Sequence, residues 1–451
     1  MPTPIVDFCE KYKANEILRA HMPGHKGRGE DFYAFDITEI SGADSLFEAS
    51  GIIRQSEEMT AALFGAYKTL YSAGGSTLCI QTMLAMLSKV TGSKTVVAAR
   101  NCHRAFVNAC GILGLTVKWV LPRYEHSLVT GEISAEEIKA LLDSLPPWEK
   151  PCCVYITSPD YMGKIAPVSE IARICREKDI FLAVDNAHGA YLKFCSEDIH
   201  PLTLGADICC DSAHKTLPAL TGAAYLHIKN PALEPFEGFA KGIMSCFAST
   251  SPSYLILQSL DRCGEYLRNE MEDIANSANG GGYFCEMENA ANALKERLKN
   301  AWQIYGDEAG KLSIFAPPSG YSGTGLGEAL RQRGVECEYA DDCFTVLMLT
   351  GLTVEEIGRL GDIFESIPQP RILVQPPDYS NFSLPPAAMG IREAMMSRWE
   401  QIPTTEAEGR IAAACLAHCP PGVSAIASGE IFTEEIIKIL KNYSIRNVIV
   451  V

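Results

Sequence analysis

The chain has 451 residues, more than one ordinary hydrophobic core holds, so we expect two or three domains. Its formal net charge of −16 disfavours a nucleic-acid partner, because phosphates require a basic face. No run of 18 apolar residues predicts a membrane span, and the first residues do not resemble a signal peptide. The 17 cysteines form no Cys-x-x-Cys pair, so we expect free thiols, no zinc site and a cytoplasmic location.

Residues 1–60 are predicted to be an N-terminal arm and loop. The segment DFCEKYKANEIL predicts a short helix, and EMTAALFGA, at the end of this region, predicts a second one. Between them, residues 21–30 (HMPGHKGRGE) contain three glycines and a proline, which is typical of a loop.

Residues 61–285 alternate between β-rich and helical runs, which is typical of βαβ units and a mostly parallel sheet. The β-rich runs are TVVAA, TVKWVL, CCVYIT, IFLAVD, ADICC and AAYLHI, and the helical runs include STLCIQTMLAMLSKV and RAFVNACGILG. Because ligands of such sheets bind beyond the carboxyl ends of the strands, the residues that follow each strand are the first site candidates. We predict one large domain here.

Residues 286–451 are predicted to form a smaller C-terminal α+β region. SIFAPP and CFTVLML predict strands, and TVEEIGRLGDIFESI predicts a helix. A proline-rich linker is predicted at 371–390, followed by helix IREAMMSRWEQI, the turn HCPPG, helix TEEIIKIL and strand NVIVV. We find no internal repeat.

A glycine turn precedes the helical run STLCIQTMLAMLSKV. In Ser72-Ala73-Gly74-Gly75-Ser76-Thr77, two glycines allow close approach of the backbone to an anion, and hydroxyls and helix-end amides could bind a phosphate. A plain glycine turn with a Ser/Thr cap has the same pattern, so the turn alone leaves both interpretations open.

Three predicted strand ends carry candidate catalytic side chains. Asp185 follows IFLAV, where a buried carboxylate requires a cation or strong donors: a pyridinium nitrogen would serve, and so would a loop cap or a structural ion pair. Lys215 follows ADICC, near Ser212 and His214, and a partly desolvated lysine can present a free amine that forms imines, although most lysines are surface residues. His103, after TVVAA, fits a ring-stacking role, a helix cap or a core histidine.

The glycine turn and the strand-end residues lie in stretches of sequence in which the chain resembles the bacterial ornithine/lysine/arginine decarboxylase family, which has the aspartate-aminotransferase-like fold (PLP fold type I). HMPGHKG and SAHKTLPALTG are the specific motifs. The large enzymes of the family carry an N-terminal wing domain, and this chain resembles the short, wingless subgroup. The matching stretches run nearly the whole length, in order: HMPGHKG, DITEISGADSLFEASGII, YSAGGST, RNCHRAF, VDNAHGA, DSAHKTLPALTG and CPPGVSAIASGE.

The resemblance implies pyridoxal phosphate as cofactor. Lys215 would hold it as a Schiff base, Asp185 would pair with the pyridine nitrogen and His103 would stack on the ring. These three residues and His214 form the implied catalytic set. The other implied cofactor contacts, around the phosphate and beside the ring, are Gly75, Ser76, Thr77, His188, Ser212 and His214.

The resemblance also implies decarboxylation of a basic L-amino acid, arginine first and then lysine or ornithine, as in polyamine biosynthesis. A cationic substrate side chain needs a carboxylate, and Asp44, Glu48 and Glu430 are candidates, each of which could instead be a surface or capping acid. The fold usually places its site at a dimer interface. We therefore expect a homodimer or higher homo-oligomer, in which loop 21–29 could reach a partner's site.

Two rival functions stay open. An aminotransferase or carbon–carbon lyase on the same fold could bind the substrate α-carboxylate through Arg392 or Arg410. A non-catalytic binding protein would be expected to lose Lys215 or Asp185, and both are present. Lys26 also has a histidine neighbour, but it lies in a glycine-rich loop before the sheet begins.

Overall fold

The computed structural model describes residues 2–15, 17–276, 281–370, 373–417 and 421–451. Helices and strands alternate through the first half of the chain, as the sequence predicts. The helices are α1 (Pro4–Ala14), α2 (Ile52–Phe64), α3 (Gly75–Thr91), α4 (Arg104–Leu113), α5 (Ala135–Ser144), α6 (Val168–Glu177), α7 (Pro201–Leu204), α8 (Ala213–Thr216), α9 (Phe239–Ser245), α10 (Tyr254–Asn276), α11 (Tyr283–Leu298), α12 (Gly323–Arg331), α13 (Val354–Glu365), α14 (Ile391–Met396) and α15 (Glu434–Asn442).

The strands fall into one large sheet and several small ones. They are β1 (Lys68–Ser72), β2 (Thr95–Ala99), β3 (Thr116–Val120), β4 (Cys153–Thr157), β5 (Phe181–Asp185), β6 (Ile208–Asp211), β7 (Ala224–Ile228), β8 (Gln303–Tyr305), β9 (Lys311–Phe315), β10 (Tyr339–Ala340), β11 (Phe344–Met348), β12 (Glu400–Pro403), β13 (Leu416–Ala417), β14 (Ser424–Ile426) and β15 (Asn447–Val450).

Local sequence signals explain where individual elements begin. At the start of α5, the Ser134 hydroxyl accepts from Glu137 N (3.1 Å) and the Glu137 carboxylate accepts from Ser134 N (3.2 Å), which is a capping box. Ile138 and Leu142, four residues apart, then lie on one face and are buried. All four residues of β6 are buried, as expected for an inner strand that is covered on both faces.

The chain divides into two compact units, here called unit 1 (residues 1–90 and 182–286) and unit 2 (residues 91–181 and 287–451). The large sheet has seven strands, and its unit 1 strands follow the order β1-β7-β6-β5. β5 and β6 are parallel, whereas β7 runs antiparallel to both β6 and β1. Unit 1 also holds α1, α2, α9 and α10.

Unit 2 contributes three parallel strands to the large sheet, in the order β4-β2-β3. It also holds a four-stranded antiparallel sheet, β10-β11-β9-β8, and two-stranded sheets of β12 with β15 and β13 with β14. One apolar core of unit 2 packs α15 and β15 against Tyr124, Leu128 and Phe382. We find no membrane-span candidate among the helices of the described residues.

Most predicted elements are confirmed, and one is wrong. The predicted helix over 391–402 ends at Met396, and residues 400–403 instead form β12, because their backbone pairs with β15 at the far end of the chain. In the predicted linker the structure describes residues 373–390, which contain no helix or strand. Most of the predicted turn HCPPG lies outside the described residues. The three domain boundaries, at 60, 285 and within 371–390, stay predictions.

Candidate active site

Four strand ends of unit 1 lie side by side along one edge of the sheet. Ser72 at the end of β1 pairs with Ala224 at the start of β7, and Tyr225 pairs with Asp211 at the end of β6. Asp185 at the end of β5 pairs with Cys210. This register brings the glycine turn, the segment of Lys215 and the segment of Asp185 to the same edge, where parallel sheets bind ligands.

Lys215 lies on α8, the four-residue helix that follows β6. Its Nζ lies 2.9 Å from Nε2 of His188, which follows β5 and is buried, whereas Lys215 itself is exposed. The backbone N–H of Lys215 donates to Ser212 O at 3.0 Å. The lysine amine is therefore held by a proton-exchanging group at hydrogen-bond distance, as a nucleophilic lysine requires.

Asp185 is buried at the end of β5. Its Oδ1 accepts from Ala187 N at 3.2 Å and from the Cys210 thiol at 3.6 Å. A buried carboxylate in this position suits the protonated nitrogen of an aromatic ring, because it stabilises a cation far better than water does.

The glycine turn begins α3 with an open backbone. Gly75 has φ of +67°, its N–H donates to Gly222 O at 2.8 Å, and a Cβ built on it meets no atom within 4 Å. Gly74 N donates to the Ser72 hydroxyl at 3.1 Å. Ser76 is half-buried and Thr77 is exposed, in the first turn of α3, where amides lack intrahelical acceptors.

Two hydroxyls beside Lys215 fit a phosphate. Ser212 and Thr216 are buried, and among the described residues Oγ of Ser212 and Oγ1 of Thr216 find no hydrogen-bond partner. A phosphate oxygen would satisfy such donors, which otherwise carry a desolvation cost. His214 is held differently, because its Nδ1 lies 3.0 Å from Ala223 O. The predicted cofactor contacts of unit 1 thus fit an anionic ring compound at the sheet edge.

Sequence reasoning missed a buried network on Asp211. Its carboxylate accepts from Asn186 Nδ2 (2.7 Å) and lies 3.0 Å from His200 Nε2 and 3.3 Å from His227 Nε2. Burial opposes ionisation, but the two imidazoles hold the pKa of Asp211 well below its usual value. No local pattern signals this network, because His200 and His227 come from other elements.

Cys209 lies close enough to His200 and Asp211 for the three to be considered as metal ligands. The hydrogen bonds favour another interpretation. Nδ1 of His200 accepts from Leu202 N at 3.4 Å, so Nε2 carries the proton and donates it to Asp211. A metal would require a lone pair on that same nitrogen. We therefore describe the cluster as a hydrogen-bonded carboxylate.

His103 belongs to unit 2, so its predicted stacking role stays a prediction. It caps α4, with Nδ1 accepting from Ala105 N at 3.1 Å. Its ring lies against the backbone of Gly422, where a Cβ would come within 2.5 Å of Nε2, and Arg104 N donates to Gly422 O at 2.8 Å. The alternative considered from the sequence, a helix cap, is therefore part of what this histidine does.

Asp44, one candidate substrate acid, has its carboxylate engaged. Oδ1 accepts from Ser45 N and Ser50 N, and Oδ2 accepts from Gly51 N (2.8 Å) and Ile53 N (3.0 Å) at the start of α2. Burial opposes its ionisation, but the backbone N–H groups hold the pKa of Asp44 below its usual value. The structure thus uses Asp44 as a capping acid, and its substrate role stays a prediction.

The other two candidate acids, Glu430 and Glu48, differ from each other in burial and in the partners of their carboxylates. Glu430 is buried, accepts from Ala427 N at 2.7 Å and pairs with Arg100 at 2.8 Å, and burial raises its pKa. Glu48 is exposed and lines a cavity of about 530 Å³ in unit 1. This cavity is also lined by Lys68 and Thr69 at the start of β1, whereas Ser72 and the segment of Lys215 lie at the other end of that strand, so the substrate role of each of the three acids stays a prediction.

The two arginines of the rival aminotransferase function bind within unit 2. Arg392 donates to Ile112 O at 2.5 Å, and Arg410 donates to Glu400 Oε1 (2.6 Å) and Val451 O (3.0 Å). These intramolecular partners weaken the case for either arginine as a substrate carboxylate site.

Comparison with known proteins adds a family and a fold. Residues 4–305 match the family model of the Orn/Lys/Arg decarboxylase major domain, and residues 380–446 match that of its C-terminal domain. An arginine decarboxylase of Bacillus subtilis is 28% identical over 98% of this chain and 93% of its own length. One of Halalkalibacterium halodurans is 26% identical, over 96% and 91%. The solved constitutive lysine decarboxylase of E. coli has a TM-score of 0.76 at 18% identity, covering 100% of this chain and 82% of its own. This likeness confirms the predicted fold class.

Proposed function

The chain belongs to the Orn/Lys/Arg decarboxylase family and is a decarboxylase of basic amino acids, and from this premise we propose that it acts on arginine with pyridoxal phosphate held by Lys215. The observation that carries the proposal is the pair of Lys215 and His188, at 2.9 Å, on the sheet edge that also holds Asp185.

The site has the groups that the cofactor requires. When bound, pyridoxal phosphate supplies an electron sink for the charge that remains on Cα after loss of carbon dioxide. Lys215 would hold its aldehyde carbon, and Asp185 would hold the proton on its ring nitrogen. Ser212, Ser76 and Thr77 would donate to its phosphate, as the partnerless Ser212 hydroxyl supports. His103 and His214 keep their predicted contacts with the cofactor.

Proton transfer is assigned to Lys215 and His188. Their nitrogens lie at 2.9 Å, so a proton that leaves Lys215 has an acceptor in place, and a proton for Cα has a donor in reach. His188 is buried, which keeps bulk water from competing for that proton. Both residues lie a few positions beyond the ends of neighbouring parallel strands, and this placement brings the two side chains together.

Arginine is the first choice of substrate because four relatives that match along nearly the whole chain carry the name arginine decarboxylase. Three solved structures that match with TM-scores of 0.75 to 0.76 are named lysine decarboxylases, so lysine and ornithine remain the next choices. Asp44, Glu48 and Glu430 remain the candidate acids for the side-chain cation. We further propose a cytoplasmic homodimer that acts in polyamine biosynthesis.

The deciding experiment is release of carbon dioxide from arginine, lysine and ornithine by the wild-type chain and by Lys215→Ala. We expect turnover of arginine above the other two, loss of activity by at least about a thousandfold in the variant, and borohydride trapping of the cofactor on the peptide that contains Lys215. Lys229→Ala is the matched control, because this exposed lysine donates to Gly65 O and should keep full activity.

The proposal fails if Lys215→Ala keeps its activity or if the trapped cofactor maps to Lys26. A keto acid in place of an amine would identify the rival aminotransferase. A chain that shows no cofactor absorbance after addition of pyridoxal phosphate would be the non-catalytic protein.

A further inference from the structure

A second cavity, here called the unit 2 cavity, opens where β2, β3 and β4 end. It has a volume of about 190 Å³, which suits a small group rather than a large ligand. Its lining includes Asn101 beyond β2, Arg123 beyond β3 and Thr157 at the end of β4. Asp307, from far along the chain, completes one side of it.

Two residues that line the unit 2 cavity each carry a buried polar side-chain atom that lacks a partner among the described residues. Asn101 is 2% exposed, and among the described residues its Oδ1 accepts no hydrogen bond. The hydroxyl of Thr157, also on the lining, has no partner in the same part of the chain. An amide oxygen accepts only, so whatever completes this site must donate a hydrogen bond. Leaving such an atom buried and unmatched is costly.

Both cations of the lining are already neutralised. Lys164 Nζ lies 3.1 Å from Glu132 Oε1 and above the ring of Tyr305, and Arg123 Nε lies 3.5 Å from Glu137 Oε1. The lining carboxylates that remain belong to Asp160 and Asp307. Neither has an ion-pair partner among the residues that the structure describes, so the cavity keeps an excess of negative charge.

The carboxylate of Asp160 has hydrogen-bond donors but no salt-bridge partner among the described residues. Its carboxylate is buried and accepts from the Thr130 hydroxyl and from the backbone N–H groups of Met162 and Lys164 (3.0 Å each), all neutral donors. The ammonium of Lys311 binds the backbone carbonyl of Asp160 at 3.0 Å. Burial raises the pKa of Asp160 to about 6. A cation bound beside such a carboxylate would stabilise its charged form.

We propose that the unit 2 cavity binds a compact organic cation, a short alkylguanidinium, whose N–H groups donate to Asn101 Oδ1 and Thr157 Oγ1 and whose charge is balanced by Asp160 and Asp307. A guanidinium suits this lining because it presents several donors in one plane and has no acceptor. The site goes beyond the proposed decarboxylation and needs neither the cofactor nor Lys215.

Ethylguanidinium is the probe that tests the site. It has no primary amine and no carboxylate, so it cannot enter the chemistry at Lys215. Calorimetric titration of the full chain should show saturable binding of the probe. Asn101→Leu and Thr157→Val each remove one acceptor at nearly constant volume, and each should weaken binding by about tenfold. Asn101→Asp adds a charge opposite the ligand and should strengthen it.

Asp143→Asn is the matched control, because it removes one carboxylate charge at an exposed position of unit 2 and should leave the affinity unchanged. Equal affinity in wild type, Asn101→Leu and Thr157→Val would overturn the proposal, as would absence of saturable binding to the wild type. Binding of inorganic phosphate that Asn101→Leu weakens would overturn it too, because the site would then be anionic. Failure of the chain to decarboxylate arginine leaves these titrations interpretable, so the two proposals fail separately.

Discussion

Two buried aspartates, one in each unit, differ in the direction in which their surroundings shift ionisation. Asp211 lies against His200 and His227, which hold its pKa well below the usual value although burial opposes this. Asp160 is as deeply buried, but its donors are a hydroxyl and two backbone amides, and burial raises its pKa to about 6. Burial is the same in both places, so the partners decide the sign.

The two carboxylates differ in whether the protein itself supplies cationic partners for them. Asp211 has three side-chain partners from three elements, among them Asn186, the residue after Asp185, so it ties the segments of Asp185 and Lys215 to the rest of unit 1. It needs no ligand. Asp160 has the hydrogen bonds that orient a carboxylate but no salt-bridge partner among the described residues, and the nearby Lys311 ammonium only partly offsets the effect of burial on its pKa.

The largest effect is expected from Asp211→Ala. It leaves the imidazoles of His200 and His227 and the Asn186 amide buried without their common acceptor, and removal of one member of a buried charged network costs about 3–5 kcal/mol. Urea unfolding at pH 7 measures this loss. A change below about 1 kcal/mol would mean that Asp211 does not anchor unit 1.

A smaller effect, with a distinctive pH dependence, is expected from Asp160→Asn. The folded pKa of Asp160, about 6, lies above its unfolded value, so its contribution to stability is present at low pH and is lost as the pH rises through 6. A shift of this size corresponds to about 2 kcal/mol between pH 4 and pH 7, because the carboxyl is already about half ionised in the unfolded chain at pH 4. The variant lacks the ionisable group, so its unfolding free energy should gain on that of the wild type by this amount over that range.

Urea unfolding at pH 4, 5, 6 and 7 tests this prediction. Parallel curves for wild type and Asp160→Asn would show that Asp160 ionises normally. Ethylguanidinium, if it binds beside Asp160, should reduce the difference, because a bound cation stabilises the charged carboxylate in the folded state.

Much of the large sheet and part of its site could be predicted from the sequence. The strands β2 to β7 are short apolar runs between helical patterns, with Asp185 as the last residue of β5 and Lys215 four residues beyond β6. These are local signals. The hydrophobic pattern and the polar residue at its end lie within a few positions of each other, so neighbours in the chain suffice.

The rest depends on contacts between distant segments. Asp211 meets His227 because β6 and β7 are antiparallel, with Cys209 opposite His227, and no pattern around Asp211 contains this register. The unit 2 cavity joins residues from Asn101 to Asp307. The wrong helix at 391–402 has the same origin, since β12 forms against a strand more than forty residues later.

The smallest effect is expected from Asp143→Asn. Asp143 adds an exposed aspartate to the comparison of the two buried ones, Asp211 and Asp160. Asp143 pairs with Lys139 (2.7 Å) and Lys178, and these hydrogen-bonded cations hold its pKa to about 2, the same direction as for Asp211. Asp143 is exposed, however, so water and salt screen the attraction, and such pairs contribute little to stability. We expect the urea midpoint of Asp143→Asn at pH 7 to match that of the wild type in both low and high salt. A loss of stability as large as that of Asp211→Ala would mean that the contribution of a carboxylate to the free energy of unfolding depends on the number of its cationic partners and not on its burial.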